Sequence, residues 1–181
     1  MWEEKTIKEV LFTQEQITAR AEELGRQITE DYRAAGKTPL LVALLRGSVP
    51  FLAELVKHID LDIQFDFMDV TSYAGTESQG EIKILKDLDT PIKDKDILVV
   101  EDIIDTGMTL TTVCELFHTR GASSVKIVTL LNKPSRRKTR IEADYIGFEV
   151  PNEFVVGFGL DFNQKYRCLP YVAVLKEECY K

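Results

Sequence analysis

From Val99 to Thr109 the chain reads Val-Val-Glu-Asp-Ile-Ile-Asp-Thr-Gly-Met-Thr: a strand, an acidic pair, a tight turn and a helix start in eleven residues. Leu98 to Val100 is a β-branched apolar run suited to a buried strand. Glu101 and Asp102 then stand where that strand would leave its sheet, the edge at which open α/β sheets bind ligands. Thr106, Gly107, Met108 and Thr109 follow with successive backbone N–H groups, two hydroxyls and the positive end of a helix beginning near Leu110. That set can cradle a phosphate. Carboxylates beside it can hold sugar hydroxyls or a metal, and Asp105, displaced onto the turn, is free to exchange a proton with a substrate. Singly, an acidic pair is usually a solvated loop edge and a Thr-Gly usually a helix cap. Together in one strand-to-helix stretch they favour a ligand site. Two other phosphate motifs are missing: no G-x-x-x-x-G-K-[ST] occurs and no G-x-G-x-x-G.

Four further groups have the types that chemistry needs. In Leu45-Arg46-Gly47-Ser48, Gly47 lets the backbone approach an anion, Ser48 can cap a helix and Arg46 carries charge. The same string is also compatible with an ordinary βα turn. Asn132 to Lys138 is the dense basic run; Arg136, Arg137 and Lys138 read as solvated loop, whereas Lys133 follows directly on a strand and so lies at the ligand edge. Phe154-Val155-Val156-Gly157-Phe158-Gly159-Leu160-Asp161 places an aromatic in a strand, ordinarily a core position, and a carboxylate after two glycines, ordinarily a surface position. Ser72-Tyr73 heads a polar loop, Ala74 to Gly80, that is a candidate lid.

Alternating strands and helices position these groups. Thr13 to Ala35 carries Ile17, Ala21, Leu24, Ile28 and Tyr32 on one helical face, with Thr13 and Gln16 as a capping box, Phe12 and Ile17 as a hydrophobic staple and Gly36 as the stop. Leu40 to Leu45 reads as a buried strand, followed by a helix capped by Ser48, with Pro50 in its first turn and Leu52, Leu55, Val56 and Ile59 facing inward. Ile63, Phe65 and Phe67 alternate with Asp62, Gln64 and Asp66, predicting a strand with one wet face, and Ile82 and Ile84 suggest a short strand after the loop. A helix bearing Leu110, Val113, Cys114 and Phe117, stopped at Gly121, and a strand from Val125 to Leu131 complete a parallel core. Short strands near Tyr145–Phe148, Phe154–Val156 and Tyr171–Leu175 follow.

With 181 residues, 44% of them hydrophobic, the chain fits one domain, 1–181, with one core. No apolar stretch approaches a membrane span, and Met1-Trp2-Glu3-Glu4-Lys5 is too polar for a signal peptide, so a cytoplasmic protein is expected. Cys114, Cys168 and Cys179 are odd in number and lack metal-ligand spacing, which predicts free thiols. A net charge of −7 argues against a nucleic-acid partner.

The acidic pair, hydrophobic pair and Asp-Thr-Gly with a following Thr resemble the signature of the type I phosphoribosyltransferase family. Leu45-Arg46-Gly47-Ser48, Ser72-Tyr73, Leu131-Asn132-Lys133, Phe154 to Gly157 and Leu160-Asp161 occur in the order found in its hypoxanthine-guanine members, so that residues 40 to 170 are covered. The resemblance implies a single α/β domain with a central, mostly parallel sheet flanked by helices. It further implies a flexible lid loop and a small hood made by the N-terminal segment and about 151–181. It implies an enzyme of purine salvage that moves the phosphoribosyl group of 5-phosphoribosyl 1-diphosphate to hypoxanthine or guanine with Mg²⁺, as a homodimer or homotetramer. In that reading Asp105 is the catalytic residue and Glu101 and Asp102 hold the ribose hydroxyls, with Thr106 to Thr109 on the 5′-phosphate. Leu45, Arg46, Gly47 and Arg167 meet pyrophosphate, in a loop that in the family often has a cis peptide before the basic residue, here Leu45–Arg46. Many relatives carry Lys where Arg46 stands. Lys133 donates to the purine 6-oxo group, Phe154 stacks on the base and Val155 meets its edge by backbone. Asp161, with Glu101 and Asp102, serves Mg²⁺, and Ser72 and Tyr73 close over the reacting centre. Two alternatives stand beside it: a transferase for another base, such as xanthine or uracil, and a regulator that keeps the fold to sense the phosphoribosyl ligand while binding RNA or DNA. The presence of Asp105 and the negative charge disfavour the second.

Overall fold

The computed structural model describes residues 5–72 and 82–180; Tyr73, the loop Ala74 to Gly80 and the Ser72 side chain, where the lid was expected, lie outside the described residues. The elements are β1 (Ile7–Phe12), α1 (Gln14–Ala34), β2 (Leu40–Leu45), α2 (Val49–Leu55), β3 (Gln64–Ser72), β4 (Ile82–Lys86), β5 (Asp96–Ile104), α3 (Met108–Thr119), β6 (Ser124–Asn132), β7 (Tyr145–Glu149), β8 (Val155–Val156) and β9 (Val172–Leu175). Among the described residues six strands form a sheet in the order β4-β3-β2-β5-β6-β7, parallel except for β4 against β3. Because α1 and α2 cover one face and α3 the other, β2 and β5 are buried on both sides. Leu41, Ala43, Leu98 and Val100 pack with Ile17, Leu24, Phe51 and Leu55, while Leu40, Val42, Ile97 and Val99 pack with Leu110, Val113 and Phe117. Such strands must be apolar at every position rather than alternate.

Beyond the large sheet, β1, β9 and β8 pair antiparallel in a small one. Val155, Val172 and Val174 join the core on the α1 and α2 side, whereas Val156 and Leu175 face a separate cluster with Tyr166 and Leu169. The expected capping box at Thr13 and Gln16 is formed. Phe12 packs beside the cluster that holds Ile17 and stacks on Phe148 at 4.0 Å. The three cysteines are free.

Several local expectations are corrected. β5 does not end at Val100 but runs through the acidic pair to Ile104, because β6 continues to pair with it as far as Asn132. α3 starts at Met108, not near Leu110, since Gly107 in the left-handed region (φ 79°) already turns the chain into the helix. Ser48 does not cap α2 with its side chain; its backbone is already helical, and its hydroxyl donates back to the Leu44 carbonyl. In β3 the apolar and wet faces are not where alternation put them: Phe65 is 52% exposed, while Asp66 and Met68 are buried.

Asp66 is buried because it is a backbone acceptor. Its carboxylate receives the N–H groups of Phe67 (2.7 Å), Asp89 (2.9 Å) and Thr90 (2.8 Å), tying the segment after β4 to β3. Burial alone would raise its pKa, but the Phe67 and Thr90 bonds and nearby Lys86 outweigh that and hold it below the usual carboxylate value. Replacing Asp66 by Ala should cost about 1–3 kcal/mol, because two or three buried N–H groups lose their acceptor. Since the folded pKa is lowered, the charged form's contribution is full at neutral pH and is lost as the pH falls through the folded value, below about 4. Thermal denaturation should therefore show a gap between wild type and Asp66→Asn at pH 7 that narrows at pH 3.

Candidate active site

The site is created by strands that stop pairing. β2 and β5 are hydrogen-bonded neighbours only up to Ala43 and Val100, while β2 follows β3 to Leu45 and β5 follows β6 to Ile104. The chain leaves β2 toward β3 on one side and β5 toward β6 on the other, so the carboxyl ends of β2 and β5 part at a topological switch point. Glu101 and Asp102 are the first residues of β5 beyond the split, and the Leu45–Arg46 loop faces them from β2.

The two sides touch without room to spare. A Cβ on Gly47 would lie 1.5 Å from Asp102 Oδ2, so no side chain fits at that position while Asp102 stays in place. One on Gly159 would lie 1.9 Å from the Gly47 carbonyl oxygen, which packs the segment after β8 onto the same loop. Arg167 donates from Nη1 to the Gly159 carbonyl (2.7 Å) and pairs through Nη2 with Asp161 (2.8 Å). Its positive charge also acts on Asp102. Gly47, Asp102, Asp161 and Arg167 thus belong to one cluster. Leu45–Arg46 is cis, and the Arg46 side chain is exposed.

The acidic pair itself is poorly compensated. Among the described residues Glu101 Oε2 is buried without a hydrogen-bond partner. Burial, and then the charge of and hydrogen bond to Asp102, hold the Glu101 carboxyl well above its usual range. Burial likewise raises Asp102, against the bond it accepts from the Ile103 N–H (2.7 Å) and its interaction with Glu101. Cys114, on α3 behind them, is pushed up to about 12, first by burial and then by Glu101, so it remains a protonated thiol. Among the described residues no three His, Cys, Asp or Glu side chains gather into a metal-holding group; Glu101, Asp102 and Asp161 do not form one preformed cage.

Next along the chain, Glu101, Ile103, Ile104 and residues 105–110 line a hollow of about 210 Å³. The first-turn amides of α3 open into that turn with no intrahelical acceptor. Thr106 Oγ1 accepts the Met108 N–H at 3.4 Å, and the Thr111 hydroxyl donates to the Gly107 carbonyl (2.8 Å). The turn is backed by Arg137 and Lys138, which composition assigns to solvent, and by Thr139 and Ile141. A Cβ on Gly107 would lie 2.6 Å from Thr139 Oγ1, 2.7 Å from Ile141 and 3.1 Å from Arg137 Cδ. Arg137 donates to the Ile141 carbonyl (2.8 Å) and to Asn132 Oδ1, and the Lys138 N–H donates to the Thr106 carbonyl (2.9 Å). Arg137 is therefore a brace for the turn at 105–109, not a solvated loop residue. Composition shows a basic run; it does not show which head group turns inward.

Lys133 does separate from that run. It is 5% exposed, its N–H donates to the Ile104 carbonyl (3.0 Å), and its ammonium donates to the Glu153 carbonyl (2.7 Å). Burial lowers its pKa, opposed by the Asp105 charge. Asp105 pairs with Arg136 Nε at 3.3 Å. The structure thus brings Asp105, Lys133 and the Glu153–Phe154 ledge to one edge of the sheet. Phe154 precedes β8 rather than lying in it, and Val155 is buried opposite Val174.

Residues 9–163 match the family model of the phosphoribosyl transferase domain. Hypoxanthine-guanine phosphoribosyltransferase of Streptococcus thermophilus is 60% identical over 178 residues, 98% of each chain. That of Streptococcus mutans is 57% identical over the same length and the same shares. The crystal structure of a hypoxanthine phosphoribosyltransferase from Staphylococcus aureus superposes with a TM-score of 0.95 at 49% identity, covering 100% of this chain and 98% of that one. The chain belongs to the phosphoribosyl transferase family.

Gly47→Ala should displace Asp102 or the loop by an ångström or more and lower phosphoribosyl transfer by about 10²-fold. Circular dichroism should keep the wild-type spectrum, because the contact lies outside the two main cores.

Proposed function

We propose that the chain transfers the phosphoribosyl group of 5-phosphoribosyl 1-diphosphate to hypoxanthine or guanine, releasing pyrophosphate and IMP or GMP in purine salvage. The observation that carries this reading is the meeting of a buried ammonium, Lys133, with the Asp105 carboxylate, beside a helix-start turn suited to phosphate. The names of the close relatives agree with it. All of 1–181 acts as one domain in this reading, in the cytoplasm and as a homodimer or homotetramer; among the described residues no helix is long and apolar enough to cross a membrane.

Residues 106–109 hold the 5′-phosphate through backbone N–H groups and the two threonine hydroxyls. Glu101 and Asp102 take the ribose hydroxyls, which supply the donors that the buried Glu101 Oε2 lacks. The Leu45–Gly47 loop and Arg167 face the diphosphate. As the purine N9 attacks C1′, the bond from C1′ to the diphosphate oxygen breaks, and the proton on N7 passes to the Asp105 carboxylate. The carboxylates favour positive charge on the sugar, and the loop amides and Arg167 favour the departing diphosphate. Ser72 and Tyr73, at the head of the lid, exclude water. The residues fit Mg²⁺, which binds through one or two carboxylates plus substrate oxygens rather than in an all-protein cage. Asp161 would hold it together with Glu101 and Asp102, and when bound it neutralises the diphosphate.

Base choice follows from Lys133. Its ammonium has three hydrogens and one goes to the Glu153 carbonyl, leaving donors for a 6-oxo oxygen. A 6-amino group would offer a donor to a donor. Phe154 stacks on the purine and Val155 meets its edge through the backbone.

Product formation from hypoxanthine, guanine, xanthine, uracil and adenine, with and without the diphosphate donor and Mg²⁺, tests the assignment. Donor- and Mg²⁺-dependent IMP and GMP are expected; turnover of uracil or adenine in their place would overturn it. Asp105→Asn should lower kcat by about 10²–10⁴-fold with little change in donor affinity, since the amide keeps size but cannot take the proton. Lys133→Met should lower kcat/KM for hypoxanthine and guanine by roughly ten- to a hundredfold, raise the donor KM far less, and shrink discrimination against adenine.

A further inference from the structure

Phe154 is held from outside by a residue with no part in the reading above. The Tyr180 ring lies over it with centroids 4.9 Å apart and planes at 28°, a stacked pair, and Phe162 meets it nearly at right angles, 5.6 Å away and at 86°. Tyr180 reaches that place through a short, well-anchored turn. After β9, the Lys176 N–H donates to the Thr6 carbonyl (2.9 Å) and its ammonium to the Lys5 carbonyl (2.8 Å). The Cys179 and Tyr180 N–H groups then close onto the Lys176 and Glu177 carbonyls at 3.0 and 3.1 Å. The residue before Phe154 is fixed as well: Lys8 pairs with the Glu153 carboxylate at 3.0 Å, and the Glu153 carbonyl accepts from Lys133 at 2.7 Å. The aromatic and the ammonium that would read the base therefore hang on two consecutive residues, and the small sheet with its C-terminal turn clamps both.

We propose that Tyr180 is a positioning residue for base recognition: it occupies one face of Phe154, so that the purine takes the other and the three rings form a single stack. The inference rests on Phe154 being the purine's stacking partner. A ring covered on one face has little freedom to rotate, so the base meets a fixed surface; an aromatic pair contributes modestly, and its ring rather than its hydroxyl matters. Donor binding, at the parted ends of β2 and β5, involves none of these contacts.

Steady-state kinetics on Tyr180→Ala, Tyr180→Leu and Tyr180→Phe in the full chain test this. Alanine and leucine should raise the KM for hypoxanthine and guanine roughly three- to tenfold, with donor KM held within about twofold, and phenylalanine should behave as wild type. Leucine keeps the bulk that the hood cluster needs, so a fold loosened by alanine does not blunt the test. An unchanged base KM in the leucine variant overturns the proposal. So does a lower one, which would mean that Tyr180 occupies the base's own place, and so does a parallel rise in donor KM, which would mark a general loosening. Wild-type turnover of hypoxanthine is measured alongside: its absence defeats the functional reading, whereas an active wild type indifferent to position 180 defeats only the role of Tyr180.

Discussion

Asp102 and Gly47 face each other across the split between β2 and β5 at a separation that leaves no space for a Cβ. Most of the site follows from that contact. It draws the loop after β2 onto the acidic end of β5, and the Gly159 approach then draws the segment after β8 onto the loop. Arg167, bonded to the Gly159 carbonyl and Asp161, ends up beside the acidic pair although it is far from it in sequence. Substrate groups that are remote from one another in the diphosphate donor can thus be met by residues from three parts of the chain, held by close backbone approaches and by the arginines Arg137 and Arg167.

The same place is where the protein gives up stability. A carboxyl oxygen buried without a partner among the described residues, beside a second carboxylate, costs free energy that the folded chain recovers elsewhere, in the two-sided core of β2 and β5. Conflict of this kind tends to mark sites kept for a ligand. It also explains why β5 is so strongly apolar up to Val100: the strand that presents the acidic pair is anchored on both faces before the pair begins. The amide turn at 106–109, backed by Arg137, Thr139 and Ile141, completes a rigid frame along one sheet edge.

Much of this frame was legible in the sequence. Continuous apolar runs at Leu40 to Leu45 and Leu98 to Val100 identify doubly covered strands, and the capping box at Thr13 identifies α1, because these signals are local. The turn through Gly107 into α3 was legible for the same reason. What the sequence did not disclose depends on partners distant in the chain. Asp66 looks like a wet-face residue until the amides of Asp89 and Thr90 arrive; Arg137 looks solvated until Asn132 and Ile141 accept from it. Ser48 has cap chemistry, but its helical backbone turns the hydroxyl toward Leu44. Tyr180 carried no signal at all, since a lone aromatic near the end of the chain acquires meaning only through the ring it covers.

If the acidic pair is kept at a cost to the fold for the sake of the ribose hydroxyls, both sides of that exchange are measurable in one variant. Glu101→Gln combined with Asp102→Asn removes the buried charges and keeps their size. Isothermal titration of 5-phosphoribosyl 1-diphosphate with Mg²⁺, alongside thermal denaturation of the free protein at neutral pH, should give weaker donor binding together with a raised Tm. Unchanged donor affinity in the double variant, or a Tm that falls, would contradict the role assigned to Glu101 and Asp102.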